Sequence, residues 1–251
     1  MSISSSADWA SSWVAGKQVL VTGGTGGIGG ALAQAFRDAG AKVHATGATE
    51  GECEAARSGS SVQGIEYSVL DVCDYEAVKA LCDGFEHLDV IINCAGIIRR
   101  GDERNLDVFE KVIDINLNGT MRVCEASVEA LSKTGGSIIN IASMLSIFGG
   151  GLVPGYSASK GGIAQLTKSL AIAYAPKGVR VNAIAPGWIA TPLTKALQDD
   201  PNRAGPILER TPLNRWGKPE DLQGIALFLA SPHAAFMTGN VIPVDGGYSI
   251  T

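Results

Sequence analysis

Seven short aliphatic and β-branched runs, most of them separated by stretches of helical period, restrict this chain to very few architectures. The runs are KQVLVT (17–22), AKVHAT (41–46), IEYSVLDV (65–72), LDVIINCAG (88–96), GSIINIAS (136–143), VRVNAIAPG (179–187) and NVIPVDGG (240–247). Between them, Ile28, Leu32, Ala35 and Phe36 recur at helical spacing before Gly40, and helices are expected over YEAVKALCDGF (75–85), 105–132, 156–175 and PEDLQGIALFLAS (219–231). Strands of nearly continuous Val, Ile and Leu are buried on both faces, which requires a parallel sheet with helices on either side. Right-handed crossovers then give a doubly wound, three-layer α/β/α sheet of seven strands.

No linker divides the 251 residues, of which 45% are apolar and 18% charged, so a single domain is expected over 16–251 after a polar, serine-rich extension at 1–15. The segment 187–217 breaks the rhythm with two tryptophans, four prolines and two short helical patches, the pattern of a binding lid. The net charge of −5 supplies no basic stripe for a polyanion and argues against nucleic acid. Five cysteines without CxxC spacing read as reduced thiols of a cytoplasmic protein. Three scattered histidines suggest no metal site. The first residues lack the basic and apolar regions of a signal peptide, and no apolar run approaches the ~20 residues that span a bilayer.

VTGGTGGIGG joins the first strand to the first helix. Gly24, Gly26 and Gly29 satisfy GxGxxG, while Gly23, Gly27 and Gly29 satisfy GxxxGxG. Either register turns tightly, lets backbone N–H groups approach a pyrophosphate and opens a helix whose positive end faces it, as in a Rossmann-type dinucleotide fold. The second strand ends at Thr46, Gly47, Ala48 and Thr49, with no acid before Glu50 and no nearby arginine or lysine to hold a 2′-phosphate. NAD and NADP both stay open, with Glu50 as a candidate substitute for the ribose-binding acid.

In such sheets ligands bind at the carboxyl ends of the strands, where Asp71, Asn93 and Ser143 fall. Tyr156 and Lys160, four residues apart at a helix start, share one face. A nearby ammonium favours phenolate and lowers a phenol pKa. Ser143, thirteen residues upstream of Tyr156, is placed to hold a substrate oxygen while the phenol transfers a proton. Asn116 in DINLNG is a polar candidate beside them.

These motifs together resemble the short-chain dehydrogenase/reductase family in its single-domain form, over nearly everything from Gly16 to Tyr248. They are TGGTGGIG, LDV at Asp71, NCAG at 93–96, NLNG at Asn116, Ser143, YSASK, APGWIAT at 185–191, and VDGG. The resemblance implies that Tyr156 is the general acid/base, that Lys160 tunes it and holds the nicotinamide ribose, that Ser143 binds the reacting oxygen, and that Asn116 orders a relay water. It implies an NAD or NADP site formed by Gly23, Thr25, Gly27, Ile28, Gly29, Gly47, Ala48, Asp71, Val72, Asn93, Ala95, Gly96, Tyr156, Lys160, Pro186, Gly187, Ile189 and Thr191. It also implies a homotetramer with contacts at the helix after Tyr156 and at VDGGY. One departure is Cys94, where the family carries a second asparagine; it is expected on the structural side of its strand.

For the alcohol or ketone substrate, AGIIRRGD with Arg99 and Arg100, SMLSIFGGGLVPGY with Met144, Leu145 and Val153, and Trp188 look most like family members acting on sugar acids, such as 2-deoxy-gluconate 3-dehydrogenases and gluconate 5-dehydrogenases. An arginine can clamp a carboxylate in a bidentate pair. The rivals are a 3-oxoacyl carrier-protein reductase, which the acidic balance disfavours, and a non-catalytic dinucleotide-binding regulator, which the intact Asn116, Ser143, Tyr156 and Lys160 set disfavours.

Overall fold

The computed structural model describes residues 6–59 and 64–251. Each aliphatic run becomes a strand: β1 (Gln18–Thr22), β2 (Lys42–Gly47), β3 (Ile65–Val69), β4 (Val90–Asn93), β5 (Ser137–Ile141), β6 (Arg180–Pro186) and β7 (Val241–Val244). They form one parallel sheet in the order β3-β2-β1-β4-β5-β6-β7. The helices are α1 (Ser6–Val14), α2 (Gly27–Asp38), α3 (Glu50–Arg57), α4 (Tyr75–Asp83), α5 (Leu106–Ile113), α6 (Gly119–Ser132), α7 (Pro154–Tyr174), α8 (Lys195–Gln198), α9 (Pro201–Glu209) and α10 (Gln223–Ala230).

Alternation along β1 sorts the core. Val19 and Val21 point to the face that packs Leu32, Phe36, Leu222 and Leu227, while Leu20 points to the opposite face with Val78, Val123, Leu131 and Leu170. All six of the strand and α2 or α10-side residues just named on the first face are fully buried. Each such side chain contributes about 1.5–3 kcal/mol relative to exposure. Because β1 lies between β2 and β4, the chain reverses its winding direction there, and a crevice opens above the carboxyl ends of β1 and β4. No helix among the described residues is long and apolar enough to cross a membrane.

Two elements depart from the expectations. Residues 1–5 of the polar extension lie outside the described residues, but 6–14 form α1, with Ala10 and Val14 fully buried against the core. A four-residue spacing puts both on one helical face, so a serine-rich stretch still docks. Between β2 and β3, where no helix was expected, α3 starts at Thr49, whose side chain accepts the Glu52 N–H at 3.3 Å. Only Cys53 and Ala56 of α3 are buried, too little apolar periodicity to announce the helix.

Candidate active site

The two registers of the glycine loop resolve by geometry. Gly23 (φ +64°) and Gly27 (φ +55°) have left-handed backbones that disfavour side chains. A Cβ on Gly29 would lie 2.2 Å from the Gly23 carbonyl oxygen, and one on Gly23 would lie 2.7 Å from the Ala95 backbone. Gly24 packs equally tightly, a Cβ there meeting Ala45 at 2.8 Å, whereas Gly26 faces open space. Gly26 is also the N-cap of α2 and has no side chain to bond the first N–H groups of that helix. Those donors and the positive end of α2 therefore face the crevice, a cradle suited to a pyrophosphate.

The crevice is a cleft of about 630 Å³. Gly23, Thr25, Gly27, Ile28 and Gly29 line its floor; Gly47 and Ala48 follow β2; Asp71 and Val72 follow β3; Ala95 and Gly96 follow β4. Tyr156, Lys160 and Thr191 complete the expected residues that line it. A bare-backbone floor, a pair of residues beyond β3 and a Tyr/Lys end fit an extended dinucleotide such as NAD or NADP. Also in the wall are Glu52, Leu70, Ile97, Ile115, Pro192 and Leu193, none of which motif spacing marked. The Glu52 carboxylate accepts the Ala48 N–H at 2.7 Å, whereas Glu50 pairs with Arg57 outside the cleft. Among acids after β2, Glu52 stands where Glu50 was expected, because α3 turns its third residue back over the strand end.

At the other end of the cleft, Ser143 and Tyr156 come within hydrogen-bonding reach through their side chains. Lys160 is almost fully buried and donates to the Ile141 carbonyl at 2.6 Å, with its nitrogen 5.5 Å from the centre of the Tyr156 ring. Burial pushes the Tyr156 phenol up to about 12; the Ser143 hydrogen bond and the Arg100 charge oppose this rise, and Cys94 and Glu103 add to it. Burial also pushes the Lys160 ammonium down to about 8. Burial therefore outweighs the Ser143 hydrogen bond and the Arg100 charge, and ionising the phenol near neutral pH calls for a further positive charge at the site.

Asn116 lies in a π-helical turn (Asp114–Asn118) between α5 and α6, and such turns recur at functional sites. Its Oδ1 accepts the Ile97 N–H at 2.8 Å, and its Nδ2 donates to the Ile97 carbonyl at 3.0 Å and to Ser159 Oγ at 3.1 Å. The amide thus ties the cleft wall after β4 to α7.

Several expected residues point elsewhere. Asn93 is turned into the core, its Nδ2 donating to Asn140 Oδ1 at 2.9 Å and to Cys124 Sγ at 3.2 Å. Its neighbour Cys94 packs against the core as expected but also reaches the cleft lining, near enough to Lys160 and Tyr156 to interact with both charges. The strand alternates, so Asn93, turned to one face, leaves Cys94 on the other. Burial holds its thiol up at about 11. Pro186 ends β6 outside the cleft lining, and Gly187, Trp188 and Ile189 line a separate cavity of about 200 Å³ with Thr211, Asp221 and Asp245. Trp188 packs edge-on to Trp216 and Tyr248. Met144 and Val153 are buried and Leu145 half-buried, without reaching the dinucleotide cleft.

The two candidate arginines separate. Arg99 is exposed and its guanidinium bonds the Ile98 carbonyl. Arg100 is partly buried, and its charge is felt at Tyr156, Glu103 and Arg203 of α9; burial first, then Arg203, lowers its pKa. Arg203 carried no sequence signal, since only the fold brings α9 near enough to Arg100 for the two charges to interact. Among the described residues no group of three His, Cys, Asp or Glu side chains could hold a metal.

Residues 11–249 match the family described as enoyl-(acyl carrier protein) reductase. A 2-dehydro-3-deoxy-D-gluconate 5-dehydrogenase of Pseudoalteromonas atlantica is 42% identical over 93% of this chain and 96% of its own length. The 3-oxoacyl-[acyl-carrier-protein] reductase FabG of Vibrio harveyi is 37% identical over 92% of this chain and 97% of its own. Among solved structures, a gluconate 5-dehydrogenase from Burkholderia cenocepacia in complex with NADP and tartrate superposes with a TM-score of 0.87. It is 33% identical, and the match covers 94% of this chain and 96% of that one. With the glycine cradle and the Ser143, Tyr156 and Lys160 cluster at the switch point of a seven-stranded parallel sheet, these likenesses establish that the chain belongs to the short-chain dehydrogenase/reductase family of NAD(P)-dependent oxidoreductases.

Proposed function

We propose that the enzyme moves hydride between a nicotinamide cofactor and a secondary alcohol or ketone of a sugar acid. One observation carries the substrate class: Arg100 after β4 and Arg203 on α9 lie close enough for their charges to act on each other, Arg100 also acts on Tyr156, and neither guanidinium has a hydrogen-bonded carboxylate partner among the described residues. The two like charges repel, and a substrate carboxylate between them relieves that repulsion while forming charge-assisted hydrogen bonds. The sugar-acid relatives agree with this reading.

In this reading Tyr156 takes the proton of the substrate hydroxyl in oxidation and returns it in reduction, and Ser143 Oγ holds the same oxygen. Lys160 supports the developing phenolate and bonds the nicotinamide ribose. Gly23, Gly27 and Gly29 hold the pyrophosphate, and Asp71 and Val72 the adenine. When bound, the nicotinamide supplies the hydride acceptor or donor and, in its oxidised form, the added positive charge. Asn116 keeps Ile97 and α7 in register, the support on which a relay water would depend. The segment 187–217 acts as the substrate lid; Arg210 on it, held over the Phe148 and Tyr248 rings at 4.9 and 4.2 Å, anchors it to the loop after β5 and to the C-terminal turn. A cytoplasmic homotetramer is the corresponding assembly, supported by five free thiols and by the exposed Ile172 of α7.

The test is a nicotinamide absorbance screen of sugar acids, polyols and acetoacetyl thioesters with both cofactors. Turnover led by a sugar acid is expected, and turnover led by the thioester would reassign the enzyme to acyl reduction. Arg100→Ala is expected to raise KM for the acid about 10–100-fold, the loss of a charged hydrogen bond, and to leave KM for a neutral polyol unchanged. An equal rise for both would remove Arg100 from carboxylate recognition.

Glu52 bears on the cofactor. A carboxylate at the rim beside Gly47 and Ala48 repels a 2′-phosphate and can accept from a ribose hydroxyl, so NAD is the favoured form. Glu52→Gln, which keeps an acceptor for the Ala48 N–H, is expected to raise the NADPH/NADH ratio of kcat/KM about tenfold, a change of about 1.4 kcal/mol. Glu50→Gln should leave the ratio where it is. Steady-state kinetics with both cofactors decide, and a ratio indifferent to Glu52 ends the assignment.

A further inference from the structure

The catalytic helix α7 begins without a cap of its own. Its N-cap is Val153, whose side chain has no acceptor, and Pro154 and Gly155 follow. The missing acceptor arrives from 53 residues away: Glu103 Oε2 takes the Tyr156 N–H at 2.7 Å. The other oxygen, Oε1, takes the Arg99 N–H, also at 2.7 Å. Glu103 is only 1% exposed, although it lies in a turn between β4 and α5 where acids ordinarily face water. Gly155 makes room for it: a Cβ there would meet Glu103 Oε2 at 3.3 Å and Phe109 at 3.2 Å. One further bond, from the Gly101 N–H to the Leu152 carbonyl at 2.8 Å, joins the same two segments.

We propose that Glu103 is a positioning residue, a buried carboxylate that locks the Arg100-bearing turn to the first turn of α7 and so fixes Tyr156 relative to the substrate's carboxylate. The proposal rests on Tyr156 as the proton-transfer residue. Two backbone N–H groups and the positive end of a 21-residue helix compensate the buried charge. The lock has a chemical cost, because a negative charge beside Tyr156 opposes phenolate. The groups facing the phenol are Ser143, Cys94, Glu103 and Arg100, with Lys160 over the ring. Glu103 and Arg100 act on it with opposite sign, and the same turn delivers both.

Glu103→Gln keeps the shape but removes the charge and one acceptor. In the full-length protein, amide hydrogen exchange is expected to accelerate about tenfold or more in both 97–105 and 150–158, with the strands unchanged, since the amide turns an NH2 donor toward one of the two N–H groups that the carboxylate oxygens accept. At saturating cofactor, kcat should fall about tenfold or more through misplacement of the phenol, and the pH profile of alcohol oxidation should move to lower pH. Glu103→Asp, shorter but charged, should lose kcat without moving the profile. Unchanged exchange in the two segments would overturn the lock. A lower Tm in Glu103→Gln with unchanged kcat and pH profile would reduce Glu103 to a structural cap. Should Glu103→Gln not fold, Glu103→Asp decides: wild-type kcat rejects positioning, and a reduced kcat on an unmoved profile supports it. The exchange measurement needs no substrate, so a failure of the sugar-acid reading leaves it intact.

Discussion

Tyr156→Phe is expected to lower kcat about a thousandfold while cofactor still binds, because the substitution removes one oxygen and keeps the ring. That oxygen is the one within reach of Ser143. Cofactor titration by fluorescence or calorimetry should give a Kd near that of the unmodified enzyme, since the glycine cradle and the walls after β2 and β3 are untouched. Comparable turnover in the variant would remove the proton-transfer assignment. The raised phenol, at about 12, adds a pH expectation: alcohol oxidation should quicken with rising pH as more of the group becomes phenolate, and a positive charge on the bound cofactor should place the midpoint below that value.

Lys160→Met should cost about 10²–10³-fold in kcat/KM, by removing the cation that supports the phenolate, and it should also change how stability depends on pH. The folded value of about 8 lies below the 10.5 of the unfolded chain, so the unfolded state binds more protons between these values. Stability of the unmodified enzyme therefore rises as pH climbs from 8 to 10.5, by about 3 kcal/mol from this group alone. Below pH 8 the whole cost of keeping the buried ammonium charged is present. The variant should lack that slope. Parallel denaturation curves at pH 7.5 and 10 decide, and an identical slope in both proteins would show that Lys160 is not held charged against burial.

Much of this was legible in the residues. The seven strands, their parallel arrangement and the glycine cradle follow from local patterns, because a strand buried on both faces must be aliphatic throughout and a left-handed turn favours glycine. Ser143, Tyr156 and Lys160 fall together because strand ends and the start of a helix are themselves readable. Less legible were choices between neighbours. Asn93 and Cys94 differ by one position on β4, and alternation sends one to Asn140 and the other to the cleft. Arg99 and Arg100 divide according to how the turn is pinned by Glu103 and Leu152. Glu52 replaces Glu50 because a short helix with two buried residues gave no periodic signal.

By itself the sequence determined the architecture, the dinucleotide cradle and the pairing of Tyr156 with Lys160 on one helical face, since these rest on backbone conformation, apolar period and spacing within single elements. Only the tertiary structure decided which charges meet at the pocket. Arg203 comes to Arg100, and Glu103 to the first turn of α7, across roughly 50 to 100 residues of chain. Electrostatic contacts of that kind depend on distance and burial in the folded state, neither of which is encoded in local pattern.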